Sequence, residues 1–121
     1  MTITTEQRAG ITILRVQGDL DANAGDDLVA AATEWLNERG DRIVIDLGGL
    51  AHLSSAGIGA LVRITAQANT QEQTVALAGP TPLVAGVFAA TRLDRFFTVY
   101  PSVAAAVEKL GQSDQPGREP D

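Results

Sequence analysis

The 121-residue chain contains no cysteine, which excludes disulfide frameworks, thiolate metal sites and cysteine nucleophiles. A single histidine, His52, rules out a multi-histidine metal cluster and leaves one conventional general base, so neither a metal nor another cofactor is expected. Lys109 is the only lysine, and nine basic side chains scattered from Arg8 to Arg118 stand against fifteen acidic ones, a formal net charge of -6. Nucleic acid is excluded as a partner by that balance, because phosphate contacts need clustered Lys and Arg. No apolar run approaches the ~20 residues of a membrane span, and Met1-Thr2-Ile3-Thr4 lacks the basic start and apolar stretch of a secretion signal. The expectation is therefore a cytoplasmic protein without membrane insertion. What remains is one globular domain, 45% apolar, large enough for a single core.

Ile3, Thr5 and Gln7 alternate toward Ala9-Gly10, and Ile11, Ile13, Leu14 and Val16 follow, which predicts two antiparallel strands joined by a tight turn. Gly18-Asp19-Leu20-Asp21 ends that hairpin. Asp21 or Asn23 can cap a first helix whose opening turn carries Asp26 and Asp27 and whose stripe is Leu28, Ala31, Ala32, Trp35 and Leu36, up to Gly40. Ile43-Val44-Ile45-Asp46-Leu47 is an unalternating run, the pattern of a central strand covered on both faces. A loop is read from Gly48 to Leu53, with His52 in it and without a special role.

The second helix opens at Ser54-Ser55, with Ile58, Leu61, Val62, Thr65 and Ala68 as its apolar stripe. Its opposite face, Gly59, Ala60, Arg63, Ala66 and Gln67, is small and mostly uncharged, a surface against which a partner can lie flat. A strand over Thr74 to Ala78 leads to Thr81-Pro82, a strong helix opening, with Leu83, Val84, Val87 and Phe88 as the apolar side. A last strand over Phe96 to Tyr100 and a helix from Pro101-Ser102 to Gly111 complete a β-β-α-β-α-β-α-β-α order. That order packs an α/β sandwich of about five strands, in a mixed sheet, with about four helices.

No enzyme motif survives inspection. A dinucleotide fingerprint at Ala56-Gly57-Ile58-Gly59-Ala60 needs a third glycine where Val62 stands, and a nucleophile elbow needs glycines flanking Ser55. Ser54 and Ser55 read first as helix caps; one of the two hydroxyls can also be a phosphoacceptor, since a helix N-terminus accommodates a phosphate's charge. Asp19, Asp21 and Asp46 fall at strand ends that the connectivity brings toward Ser55. Turn and cap chemistry explains them, and shaping the field around a phosphorylated serine is their second possible role.

The stretch from Ile43-Val44-Ile45-Asp46-Leu47 through Leu53-Ser54-Ser55-Ala56-Gly57-Ile58-Gly59-Ala60-Leu61 resembles the signature of the STAS domain, the sulfate transporter and anti-sigma factor antagonist family. Gly18-Asp19-Leu20-Asp21 resembles the family's Gly-x-Leu-Asp turn, and Thr91-Arg92-Leu93-Asp94 through Tyr100-Pro101-Ser102 its C-terminal segment. The resemblance implies a STAS domain over 1-111 that binds an anti-sigma factor serine kinase of histidine-kinase-like ATPase fold when unphosphorylated, freeing the sigma factor. Serine phosphorylation switches it off, and a metal-dependent serine phosphatase resets it. The implied phosphoacceptor is Ser55, with Ser54 as the alternative; Ala56, Gly57, Gly59, Ala60 and Arg63 form the implied partner surface. Ser54 stands where the family often has aspartate, and Ala56 where it often has Ser or Thr. Two other roles within the same resemblance are a subunit of a membrane lipid-transport ATPase and a nucleotide-binding sensor.

Residues 112-121, QSDQPGREPD, hold no large apolar side chain and are expected to be a disordered tail, unable to offset the entropy of ordering. Deleting them is expected to leave folding and partner binding intact. A large drop in thermal midpoint on truncation would show that the tail docks on the domain.

Overall fold

The computed structural model describes residues 1–39 and 42–113. Strand β1 (Thr2–Arg8) turns back into β2 (Ile11–Leu20) through Ala9 and Gly10, whose φ angles of 56° and 78° give the left-handed turn that matches the twist of a hairpin. The chain continues as α1 (Ala22–Arg39), β3 (Arg42–Leu53), α2 (Ser55–Thr70), β4 (Val75–Ala78), α3 (Pro82–Ala90), β5 (Val99–Tyr100) and α4 (Val103–Ser113). The sheet order is β1-β2-β3-β4-β5, with β1 antiparallel to β2 and the remaining pairs parallel. The expected mixed sheet of five strands with four helices is the fold found.

Each parallel strand is added on the same side of its predecessor, so three right-handed crossovers bring α1, α2 and α3 to one face of the sheet. There Leu28, Leu36, Leu61, Ile64 and Phe88 close over Leu14, Val16, Ile43, Ile45 and Leu77. On the other face α4 sets Ala106 and Leu110 against Ile11, Ile13, Val44 and Ala76. Ile43, Val44 and Ile45 are all fully buried, Val44 facing one layer and its neighbours the other, which is why that run does not alternate. Burying each such side chain contributes roughly 1.5–3 kcal/mol.

Beyond these apolar residues the strands carry a polar cluster: Glu6 binds both Arg8 (2.8 Å) and Arg15, and Arg15 reaches Asp46 at 3.3 Å. Hydrogen bonds from Arg8 and then Arg15 hold the Glu6 carboxyl below its ordinary range. Its contribution to stability is present above the unfolded-state value and is lost as pH falls through the folded one.

Several expected boundaries move. The loop expected from Gly48 to Leu53 is strand: β3 continues beside β2 with Gln17, Gly18, Asp19 and Leu20 opposite Gly49, Leu50, His52 and Leu53, after register shifts. Gly49 is required there because a Cβ would lie 2.7 Å from Gln17 Cγ. Helix α1 starts at Ala22, capped by Asp21, whose Oδ1 accepts from Ala24 N at 2.9 Å; Asn23 is inside the helix, and Asp26 and Asp27 fall in its second turn. Gly40 lies outside the described residues.

Strand β5 is only Val99–Tyr100, because Phe96 and Phe97 fold back on Leu93 O and Phe97 stacks on Phe88 with centroids 5.0 Å apart. Leu83, expected on the apolar core side of α3, is 63% exposed. Helix α4 passes through Gly111 to Ser113, so it claims two residues of the expected tail; 114–121 lie outside the described residues. The truncation that spares the helix is therefore made after Ser113.

Candidate functional site

The site is built where β2 and β3 end and α2 begins. Ser54 is extended (φ -87°, ψ 169°), and its Oγ accepts from Gly57 N at 3.1 Å, the N-cap bond that satisfies an orphan amide of the first turn. The same hydroxyl donates to Leu20 O at 3.3 Å, and Ser54 N donates to that oxygen at 3.1 Å. Helix α2 is thus fastened to the last residue of β2. Gly57 allows the approach: a Cβ there would overlap the Leu20 carbonyl oxygen and lie 3.0 Å from Leu20 Cγ.

Two readings of the sequence separate here. The glycine at the helix opening is filled by Leu20, so it serves packing rather than a cradle for phosphate. The two serines divide the work: both are exposed, but Ser54 is the cap, its hydroxyl engaged by Gly57 N and Leu20 O, while Ser55 is the first helical residue. Ser55 is therefore not the cap that it could have been from spacing alone.

Asp19 and Asp21 flank Leu20 and so stand beside this junction. Asp19 Oδ1 pairs with His52 Nδ1 at 2.8 Å, tying β2 to β3 immediately before the serines; both side chains are exposed. Asp21 caps α1. The chain does not bring Asp46 to the site. It pairs with Arg15, accepts from Gly48 N at 2.9 Å, and is followed by seven further residues of β3, about 20 Å of extended chain at ~3.3 Å per residue.

The expected partner surface is also revised. Ala60 is fully buried and Gly57 is buried; both face the chain's own interior. A Cβ on Gly25 of α1 would lie 2.9 Å from Ala60 Cβ, so the small residues of α2 serve first to admit α1. Ala56 and Arg63 are exposed and Gly59 is half-buried with open space before it, so these three remain on the outward face with Ser55 and Ala66. Arg63 Nη2 reaches Asp26 Oδ1 at 3.4 Å, an exposed pair of small energetic weight.

A family model for the STAS domain matches residues 2–106. The chain belongs to the STAS domain family. Solved structures with the same fold include an anti-sigma factor antagonist from Mycobacterium paratuberculosis, at TM-score 0.79 and 23% identity over 89% of this chain and 92% of that one. The Bacillus cell fate determinant SpoIIAA in its phosphorylated form aligns at TM-score 0.71 and 18% identity, over 90% of this chain and 99% of that one. SpoIIAA in its unphosphorylated form aligns at 0.74 and 18%, over 90% and 96%. In this STAS domain no helix among the described residues is long and apolar enough to cross a membrane.

Sequence reasoning missed two neighbours of the serines. His52, read as a loop residue without a role, is a strand residue bound to Asp19. Leu83 projects beside Ser54 rather than into the core. The available signal was α3 itself, where Leu83-Val84-Ala85-Gly86-Val87-Phe88 is apolar all round and so has more apolar surface than one core contact uses.

Four substitutions check the geometry by thermal or denaturant unfolding. Ser54→Ala is expected to cost about 0.5–2 kcal/mol through loss of the cap, whereas Ser55→Ala is expected to stay within about 0.5 kcal/mol of wild type. Gly57→Ala is expected to cost about 1–3 kcal/mol by overpacking against Leu20. Gly59→Ala, facing open space, is expected to gain up to about 1 kcal/mol of helix propensity. Equal costs for the two serine variants would contradict the assignment of the cap.

Proposed function

We propose that this STAS domain is a non-enzymatic anti-sigma factor antagonist of the cytoplasm, switched off by phosphorylation of Ser55. In this reading the unphosphorylated chain binds an anti-sigma factor serine kinase of histidine-kinase-like ATPase fold and so releases the sigma factor. A metal-dependent serine phosphatase restores the active form. The observation that carries the reading is the division of labour at two exposed serines: the Ser54 hydroxyl is spent on the cap and on Leu20, and Ser55 follows it as the first residue of the helix. The existence of SpoIIAA, a chain of the same fold, in phosphorylated and unphosphorylated forms supports it.

The kinase supplies ATP, Mg²⁺ and base, so the antagonist has to present only an accessible hydroxyl in line with the transferred phosphoryl group. Ser55 meets that requirement better than Ser54. A phosphate on Ser54 would remove the hydroxyl that donates to Leu20 O and disturb the cap of α2. Where an aspartate at 54 would also cap, Ser54 does so without placing a formal charge beside the acceptor.

The effect of the modification follows from where it sits. Phosphate adds about -1.5 to -2 charges at the rim of the outward face formed by Ala56, Gly59 and Arg63. Covering that charge with a partner strips its hydration, so the complex is lost. The fold survives, because the positive end of the α2 dipole tolerates an anion at its first residue. Asp19 and Asp21 add negative charge beside the modified serine and oppose any partner group that is itself acidic.

The test incubates wild type, Ser54→Ala and Ser55→Ala with the histidine-kinase-like anti-sigma kinases of the same genome and ATP, and maps the added phosphate by mass spectrometry. Phosphate is expected on Ser55 in wild type and in Ser54→Ala, and on neither serine in Ser55→Ala. Ser55→Ala is expected to bind the kinase and remain active, whereas Ser55→Asp folds but binds poorly. Phosphate on Ser54 would move the switch by one residue. No phosphate with any of these kinases would leave Ser55 a plain surface serine and favour a transporter-subunit role.

A further inference from the structure

Leu83 is the most exposed large apolar side chain among the described residues, at 63%, and it stands at the second position of α3. With Leu53, Val84 and Val87 it walls an open groove of about 260 Å³ whose rim is His52 and Ser54. Val84 is buried and Leu53 and Val87 are half-buried, so the groove has a packed floor and one projecting wall. At the rim Asp19 Oδ1 pairs with His52 Nδ1 at 2.8 Å, both side chains exposed. Ser54 is held by Leu20 and by its cap bond.

Two observations choose the occupant. The groove is continuous with the phosphoacceptor, since Ser54 lines it and Ser55 is the next residue; a protein seated over Ser55 covers both. The surroundings are acidic. The chain carries a net charge of -6, and the Asp19 side chain, near the end of β2 and paired with the rim residue His52, is 61% exposed, with Asp21 exposed two residues on. A second copy of the chain brings the same negative charge and is repelled, as is an anionic lipid surface.

We propose that this groove takes an apolar side chain from a segment of the anti-sigma kinase whose flanking residues are basic. The proposal rests on the function proposed above and adds to it the chemistry of the docking segment. The apolar side chain seats against Leu83, Val87 and Leu53, while the basic flanks face Asp19 and its neighbours, which sets the register and speeds encounter. Contact through this groove keeps the kinase beside Ser55 without placing the phosphoacceptor itself under the anchor.

The experiment titrates the purified wild-type chain, Leu83→Asp, Leu83→Met and Asp19→Asn against each histidine-kinase-like anti-sigma kinase of the same genome, by calorimetry. Leu83→Asp is expected to weaken binding by about tenfold or more, as loss of a buried apolar anchor does, with an unchanged thermal midpoint because the side chain is exposed. Leu83→Met keeps the affinity. Raising salt from about 0.05 to 0.5 M is expected to weaken the wild type more than Asp19→Asn. If Leu83→Asp does not fold, Leu83→Ser replaces it under the same expectations.

Wild-type affinity in Leu83→Asp, with the wild type bound and phosphorylated on Ser55, overturns the groove alone and leaves the proposed function standing. Failure of the wild type to bind any of these kinases overturns the function and the groove with it. A wild-type dimer in analytical ultracentrifugation that Leu83→Asp dissociates, or flotation with vesicles of phosphatidylglycerol that it abolishes, assigns the groove to another occupant and overturns the proposal.

Discussion

The carbonyl oxygen of Leu20 holds this molecule's site together. It accepts from the amide and the hydroxyl of Ser54, and it lies against the bare Cα of Gly57. Through these contacts the last residue of β2 sets both the position and the rotation of α2. Rotating that helix would turn Ala60 away from Gly25 of α1 and Leu61 and Ile64 away from the core. The orientation of the exposed face, with Ser55, Ala56, Gly59 and Arg63, is thus a consequence of burial on the other side. The outward face of α2 is fixed by residues buried on its other side.

In the proposed function the same junction separates stability from signalling. Ser54 serves the fold, and Ser55, exposed beside it, is the residue proposed to serve the exchange of partners. A group added to Ser55 meets a helix dipole that favours negative charge and a surface that tolerates it only while it stays hydrated. In the proposed switch the phosphate therefore discriminates between free and bound states of the chain rather than between folded and unfolded ones. Asp19 and His52 contribute from the neighbouring strands, joined to each other and exposed, next to the groove under Leu83.

Much of this was legible in the residues because local chemistry and tertiary structure agree there. Ala9-Gly10 suits a two-residue turn, Thr81-Pro82 opens α3 with a cap bond to Val84 N, and Ser102 caps α4 through Ala105 N. What escaped depended on neighbours remote in sequence. Gly48-Gly49 looks like a loop until Gln17 is beside it, and Ala60 looks exposed until α1 arrives. The spacing of Ser54-Ser55 locates a helix start but cannot say which serine caps it; that choice is made by Leu20, more than thirty residues away. Asp46 failed as a neighbour of the serines for the converse reason, since the strand it lies in runs on well past the expected end.

The central claim is that a charge on Ser55 acts at the surface and leaves the Leu20 junction intact. Amide hydrogen exchange on a chain synthesised with phosphoserine at position 55, compared with the unmodified chain, tests it most directly. The account predicts that the amides of Ser54, Gly57 and Ile58 keep their protection, because their partners Leu20 O, Ser54 Oγ and Ser54 O are not disturbed. Loss of protection at those three amides on phosphorylation would mean that the switch works by melting the first turn of α2, and would contradict it.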